Sequence, residues 1–395
     1  MAGPLSGVRI VDVSEVISGP LATMILADQG ADIVKIEPPR YGEESRQLAN
    51  FRNGMAGLYA NCNHGKRSIG INLKTERGLE LALELIRDAD VFVQNWRPGA
   101  AERLGVGEDA LRAVNPEIIY ASITGYGDDG PYAGRRGYDP IFQCLTGYVA
   151  AQTNPEIPVP DLVRNAVVDK ATSYSLAQAI TAALFARERG AGGQHVKVAM
   201  LDAGLAFFWP DGMLRHTLAG GGVDHYVVPG ERYQLMSTAD GQLVVWAGTA
   251  EQMRASLLVV GEEELANSPE QRGESMLEEE NQLARTEAVN AGFARLSSED
   301  AYRLCIEHQL PAAPVLTHEE VFLDPQVIHN GCVIEAEHPV YGRYRRAAPS
   351  AKFSGTVLES SSPPALYGEQ SDEILEEIGY SDEQRAALRK EEVVS

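Results

Sequence analysis

Two groups of residues in this chain have the types and spacing that chemistry demands. The segment Gly125-Tyr126-Gly127-Asp128-Asp129-Gly130 fits G-x-G-x-x-G, the turn that carries a dinucleotide pyrophosphate onto a helix N-terminus. Asp128 and Asp129 would meet that pyrophosphate with negative charge, and Pro131 follows at once, so the segment reads as a loop rather than a nicotinamide or flavin fingerprint. The second group is cationic. Lys35, Lys66, Arg67, Lys74, Arg97, Arg103, Arg135 and Arg136 fall within the first 140 residues, where they either form a site for a small polyanion or stand as separate solvated charges. The remaining reactive types carry no pattern. Cys62, Cys144, Cys305 and Cys332 form no CxxC pair and read as buried, reduced thiols, and the 8 histidines lack metal-ligand spacing, so no metal site is predicted.

The elements that must position these residues follow from periodicity. Val8 to Val13 reads as a strand, Leu21 to Gln29 as a helix and Asp32 to Glu37 as a second strand, a βαβ unit with a right-handed crossover. Ser68 to Leu73, Val91 to Val93, Ile118 to Ser122 and His195 to Val198 read as further buried strands, with helices from Thr75 to Asp88, from Asp169 to Arg189 and onward to about Thr217. This is an α/β chain with an open parallel sheet. Gly220-Gly221-Gly222 and Pro229-Gly230 break the pattern. We read residues 1–220, rejoined by 330–395, as a large domain and 221–329 as a smaller inserted α+β domain. Within the latter, Tyr233 to Trp246 predicts two short strands around Ala239-Asp240-Gly241, and Pro311 to Pro314 reads as the exit. Ser361 to Pro364 reads as a linker to an acidic helical tail.

Charge excludes one class of partner. The 395 residues carry a formal net charge of -22, with 15 basic and 19 acidic residues in the first 140 against 19 and 37 in the rest. Such a surface repels nucleic acid. No run approaches the ~18 apolar residues of a membrane span, and the first residues lack a signal peptide's pattern; the expected location is the cytoplasm, without membrane association.

Several segments, in order, resemble the class III coenzyme A transferases, also called the CaiB/BaiF type, the family of formyl-CoA transferase and the α-methylacyl-CoA racemases. They are Pro4 to Asp12, Gly19-Pro20, Gly30 to Pro38, Gly65 to Ile69, Ile71 to Lys74, Asn95 to Gly99, Ile123 to Gly127, Gly137-Tyr138-Asp139, Thr238 to Gly241 and Leu375 to Ser381. The resemblance implies a Rossmann-like large domain built from both ends of the chain, a small inserted domain, and a homodimer of interlocked rings. It implies an acyl-CoA and a carboxylic acid as substrates, with no permanently bound cofactor.

By position in that family, the catalytic carboxylate falls on Asp169. The residues alone favour a helix N-cap at Asp169, since Asp is among the commonest caps; the resemblance reverses that reading. The resemblance adds Tyr138 and Asp139 to the catalytic group. It assigns coenzyme A to Val16, Ser18, Asn72, Leu73, Lys74, Asn95, Trp96, Arg97, Arg103 and Arg136, with oxyanion donors among the amides near Ile17-Ser18 and in a glycine flap, for which Gly220-Gly221-Gly222 is one candidate and a hinge the other reading. Racemases of the family carry Gly-His-Asp where this chain has Gly137-Tyr138-Asp139; a tyrosine, with its ordinary pKa of about 10, is a poor base for an α-proton. Transfer is therefore expected over racemisation, with a coenzyme A binder lacking turnover as the remaining reading. Pro38 and Ile17 stand where formyl-CoA transferase has arginine and glutamine, which argues against formyl-CoA:oxalate specificity.

Overall fold

The computed structural model describes residues 3–152, 160–224, 228, 230, 233–356 and 361–395; of the expected Pro229-Gly230 break, Pro229 lies outside them. The chain divides into two compact units, Met1–Val223 with Gly331–Ser395, and Asp224–Asn330.

The larger unit is organised by six parallel strands: β1 (Arg9–Asp12), β2 (Asp32–Glu37), β3 (Lys66–Gly70), β4 (Val91–Gln94), β5 (Ile119–Thr124) and β6 (His195–Ala199). Their spatial order is β3-β2-β1-β4-β5-β6, the doubly wound arrangement of dinucleotide-binding folds. The strands are apolar runs, because helices cover both faces of a parallel sheet: Ile33, Val91, Phe92, Val93, Ile119 and Ala121 are all fully buried.

On one face lie α1 (Ser18–Ala27) and α4 (Val167–Ala186), packing Leu26, Leu176 and Ile180 into the core. Between them in sequence come α2 (Glu76–Arg87) and α3 (Asp139–Thr146); α5 (Met200–Gly212) follows β6. On the opposite face α2 buries Leu81, Ala82, Leu85 and Ile86, an i, i+1, i+4, i+5 stripe, and is capped by Thr75, whose hydroxyl accepts from the Gly78 amide at 3.1 Å. Each such fully buried Leu or Ile contributes roughly 1.5–3 kcal/mol.

The chain end joins the same face. Helices Ser371–Glu377 and Asp382–Lys390 send Ile374, Leu375 and Leu388 into the α2 cluster, the Asn72 amide donates to Val393 O (2.9 Å), and Ser395 N donates to Gly70 O (3.0 Å). The segment read as an acidic tail is thus a cover for the β3 edge, its acids outward and its apolar residues inward.

The smaller unit holds an antiparallel sheet of Met236–Ser237, Gln242–Val245 and Ala312–Pro314, with Gln242–Val245 in the middle. Helices Ala250–Val259, Glu279–Phe293 and Ser298–Glu307 pack Leu257, Phe293 and Cys305 against Leu243. Two expectations change. Ala312–Pro314 is an edge strand rather than an exit, a position where proline's missing N–H is tolerated. Cys144 and Cys332 are exposed; Cys62 and Cys305 are buried. Among the described residues no helix is long and apolar enough to cross a membrane, and no group of three or more His, Cys, Asp or Glu could hold a metal.

Candidate active site

In this strand order the chain reverses direction across the sheet between β1 and β4, and the crevice beyond their carboxyl ends is where doubly wound folds take their ligands. Two loops border it here, one after β1 and one after β4, and a single side chain ties them. Asn95 accepts from the Glu15 amide (2.9 Å) and donates to the Glu15 carbonyl (2.8 Å). Val16, the next residue, has φ +69, a left-handed conformation that costs a β-branched residue. Its amide is held by the Glu43 carboxylate at 3.1 Å. Gly19 admits no side chain, because a Cβ there would sit 2.3 Å from that of Ser14.

The loop delivers Ser18 to the first position of α1, buried to 4% exposure. Helix α1 has no side-chain cap, so its first amides are available to an anion. The Ser18 side chain lies close enough to the carboxylate of Asp169 to favour its charged form.

Asp169 is the third residue of α4, not its cap. That task belongs to Asp139, whose carboxylate accepts from the amides of Val168 (2.7 Å) and Asp169 (3.0 Å). Asp139 is 6% exposed and receives a further hydrogen bond from the Gln143 amide, which also donates to the Val163 and Asn165 carbonyls. The Asp169 carboxyl is therefore free of capping duty. Burial, followed by the negative charge of Asp139, pushes it up to about 7, against the opposing influence of Ser18. At neutral pH it is poised between acid and carboxylate.

The remaining expected residues lie in the segments that follow β3, β4 and β5, apart from the three glycines at 220–222, which come after α5. Asn72, Leu73 and Lys74 form the turn from β3 into α2, with Asn72 accepting from the Lys74 amide (3.2 Å) and Leu73 packed on the core. Trp96 packs there too, its amide bonded to Gln94 (2.7 Å). Lys74, Arg97, Arg103 and Arg136 are exposed, as phosphate-facing cations must be. Tyr138 precedes α3 with 62% of its surface exposed. Gly220 and Gly222 adopt positive φ, and a Cβ at any of the three glycines would meet open space.

Three of the eight cations proposed for a polyanion site do not serve it. Lys35 and Lys66 are 0% and 2% exposed; they point into the sheet edge, where Asp12 and Glu43 neutralise them. Arg67 is engaged by Asp32, Glu373 and Glu377. Residue type alone does not distinguish an inward lysine from an outward one. Sequence reading also passed over Glu43 and Gln143. Gln143 carried a faint signal, lying one helical turn from Asp139; Glu43 meets Val16 only through the fold.

The G-x-G-x-x-G segment is a loop, with Asp128 paired to Lys197 at 2.7 Å. A Ser122–His195–Glu108 chain, with contacts of 2.8 and 2.6 Å, has the spacing of a hydrolytic triad. Ser122, however, lies on β5 at 4% exposure, which leaves no room for an acyl group.

A doubly wound sheet whose switch-point loops bring a helix N-terminus, a half-buried carboxylate and an exposed cationic rim to one edge defines an α/β enzyme for an anionic ligand. The profile of CoA-transferase family III matches residues 5–371, and the chain belongs to that family. It is 33% identical over 388 residues to the succinyl-CoA:glutarate CoA-transferase of Mus musculus, covering 96% of this chain and 87% of the relative. It is 29% identical over 430 residues to the formyl-CoA:oxalate CoA-transferase of Escherichia coli O81, covering 100% of both. The crystal structure of a CAIB/BAIF family protein from Brucella suis superposes with a TM-score of 0.82 at 28% identity, covering 96% of this chain and 100% of that one. The enzyme is a CoA-transferase.

Proposed function

We propose that the enzyme moves coenzyme A from an acyl-CoA to a free carboxylic acid with Asp169 as nucleophile. The observation that carries this reading is the division of labour between two acids: Asp139 caps α4, leaving the Asp169 carboxyl uncommitted beside Ser18 and the α1 N-terminus.

Asp169 attacks the thioester carbonyl and expels the CoA thiolate, forming a mixed anhydride. The thiolate then attacks the aspartyl carbonyl and releases the donor acid, leaving an aspartyl-CoA thioester. An acceptor carboxylate attacks that thioester and expels the thiolate again; thiolate attack on the acceptor acyl carbon yields the new acyl-CoA and restores Asp169. The thioester's energy stays in covalent form, so no ATP is needed. Each tetrahedral oxyanion falls to the Ile17 and Ser18 amides at the start of α1. Lys74, Arg97, Arg103 and Arg136 face the CoA phosphates, Val16, Ser18, Asn72, Leu73, Asn95 and Trp96 complete the coenzyme A site, Tyr138 borders the acyl group, and Asp139 supports Asp169 from behind it. The relatives' names pair CoA with glutarate and oxalate, which supports a short dicarboxylic acid as acceptor.

We further assign the enzyme to the cytoplasm as a homodimer of interlocked subunits. Tyr174 and Phe185 of α4 and Phe207 and Trp209 of α5 are 44–62% exposed in the single chain, which suits a face covered by a second subunit.

Incubation with succinyl-CoA and hydroxylamine, followed by peptide mass analysis, tests the chemistry. A hydroxamate on Asp169, together with CoA transfer to glutarate, is expected. Unmodified Asp169 with deuterium uptake at the α-carbon of a branched acyl-CoA would make the enzyme a racemase, and tight CoA binding with neither reaction would make it a binding protein.

A further inference from the structure

Beneath the loop that carries Ser18 lies a group of six charges almost wholly withdrawn from water. Asp12, Glu37 and Glu43 are 0–1% exposed, and Lys35, Lys66 and Arg46 are 0–4% exposed. Three negative groups face three positive ones, so the cluster is neutral, and its members come from β1, β2, β3 and the β2–β3 connection. Arg46 binds Glu37 through two nitrogens at 2.6 Å each and lies 3.6 Å over the Tyr59 ring.

The cluster holds three backbone groups of the loop and one in the first turn of α1. Asp12 accepts from the Ser14 amide (2.8 Å), Lys35 donates to the Ser14 carbonyl (2.7 Å), and Glu43 takes the Val16 amide at its left-handed φ. Lys66 spends its three donors on Asp12 (3.0 Å), Asn63 (2.7 Å) and the Pro20 carbonyl in the first turn of α1 (2.8 Å). Asp12 also accepts from the Thr23 hydroxyl at 2.6 Å. From Val13 to Val16 each amide has a partner: Val13 donates to Val93 O, and the next three to Asp12, Asn95 and Glu43. Helix capping supplies no partner to the amides that follow at the start of α1.

Six buried charges are a poor way to gain stability, since desolvation consumes most of their attraction. They are a good way to hold one geometry, because each hydrogen bond in a low-dielectric site is directional and costly to lose. We infer that this cluster is the template that sets the α1 N-terminus against Asp169, with Lys66 as the principal positioning residue for the transfer reaction. The inference rests on the proposed function in that the amides so positioned are the oxyanion donors. A shift of about 1 Å in such donors costs about 100-fold in rate without changing what binds.

Lys66→Met and the double variant Asp12→Asn/Lys66→Met test it. The single variant leaves Asp12 with Lys35 alone and the cluster one negative charge in excess, whereas the double one leaves four buried charges in balance and lets the introduced carboxamide serve Ser14 and Thr23. Lys66→Met is expected to lower kcat by 10- to 100-fold with KM for acyl-CoA within threefold. Hydrogen exchange of the Ser14–Val16 amides should rise at least tenfold. The double variant should recover the wild-type melting temperature but not kcat. A kcat within twofold of wild type in either folded variant, or kcat recovering together with stability, would overturn the assignment. If the single variant does not fold, the double variant decides alone. Should the wild-type enzyme transfer no CoA, the functional reading fails separately, and exchange at Ser14–Val16 still decides the positioning role: unchanged protection refutes it, lost protection supports it.

Discussion

Asp12 and Asp169 are the same residue type at the same edge of one sheet, and their surroundings drive them in opposite directions. Burial alone would raise both carboxyls. At Asp12 the ammonium groups of Lys66 and Lys35, with the hydroxyls of Ser14 and Thr23, overcome that penalty and hold the group far below the ordinary carboxylate range. At Asp169 the second influence is another acid, Asp139, and only Ser18 opposes it. One aspartate is always charged and fully satisfied; the other is half-buried, near neutrality and short of partners. A carboxylate that must attack a thioester needs the second environment, because an anion already bound by cations is a weak nucleophile.

The largest test of this contrast is removal of Asp169, the proposed nucleophile. Asp169→Ala is expected to lower transfer at least 10⁴-fold while CoA affinity, measured by calorimetry, stays within about threefold; normal turnover would remove Asp169 from the chemistry. Asp12→Asn addresses the structural member. It strands Lys66 in the interior and leaves Lys35 with Glu43 alone, and urea unfolding should show a loss of about 3–5 kcal/mol.

The two sites also differ in the sign of their pH dependence. A carboxyl raised to about 7 on folding binds more protons in the native state than in the unfolded chain, so its contribution to stability is full near pH 4 and falls as pH rises through 7. Asp169→Asn should therefore be more stable than wild type by about 1–3 kcal/mol at pH 8, allowing for partial exposure, with the gap closing at pH 4. Asp12, depressed on folding, stabilises above the unfolded carboxyl pKa and loses that contribution only in stronger acid. A difference between wild type and Asp169→Asn that did not vary with pH would refute the poised carboxyl. The smallest effect is at the neighbour: Asp139→Asn keeps an acceptor for the α4 amides but removes the repulsion, and the acidic limb of the kcat/KM profile should move down by about one pH unit. A limb that stays in place would leave burial as the whole cause.

Much of the scaffold was legible along the chain because its signals are local. The apolar runs at Ile10-Val11, Ile33 to Ile36 and Val91 to Val93 are the strands observed, within a residue or two at their ends, and the 3.6-residue stripe of α2 is the face it buries. The apolar pattern begins β3 two residues late, since Lys66 and Arg67 are polar and nothing in their type reveals that one is interior and the other bridges three acids. Ala312–Pro314 hides its strand for a similar reason: two prolines nearby signal a break, and only an edge position makes them compatible with pairing.

By itself, then, the sequence determined the α/β class, the helix on which Asp169 lies, and the family whose motifs recur in order from Pro4 to Ser381, because periodicity and motif spacing survive in one dimension. Only the tertiary structure decided which acid caps α4 and which is left without that duty, and which lysines are buried counter-ions rather than exposed cations. Those roles depend on solvent exclusion and on partners 29 or 54 residues apart, and neither the field around a charge nor its access to water is a property of the residues on either side of it.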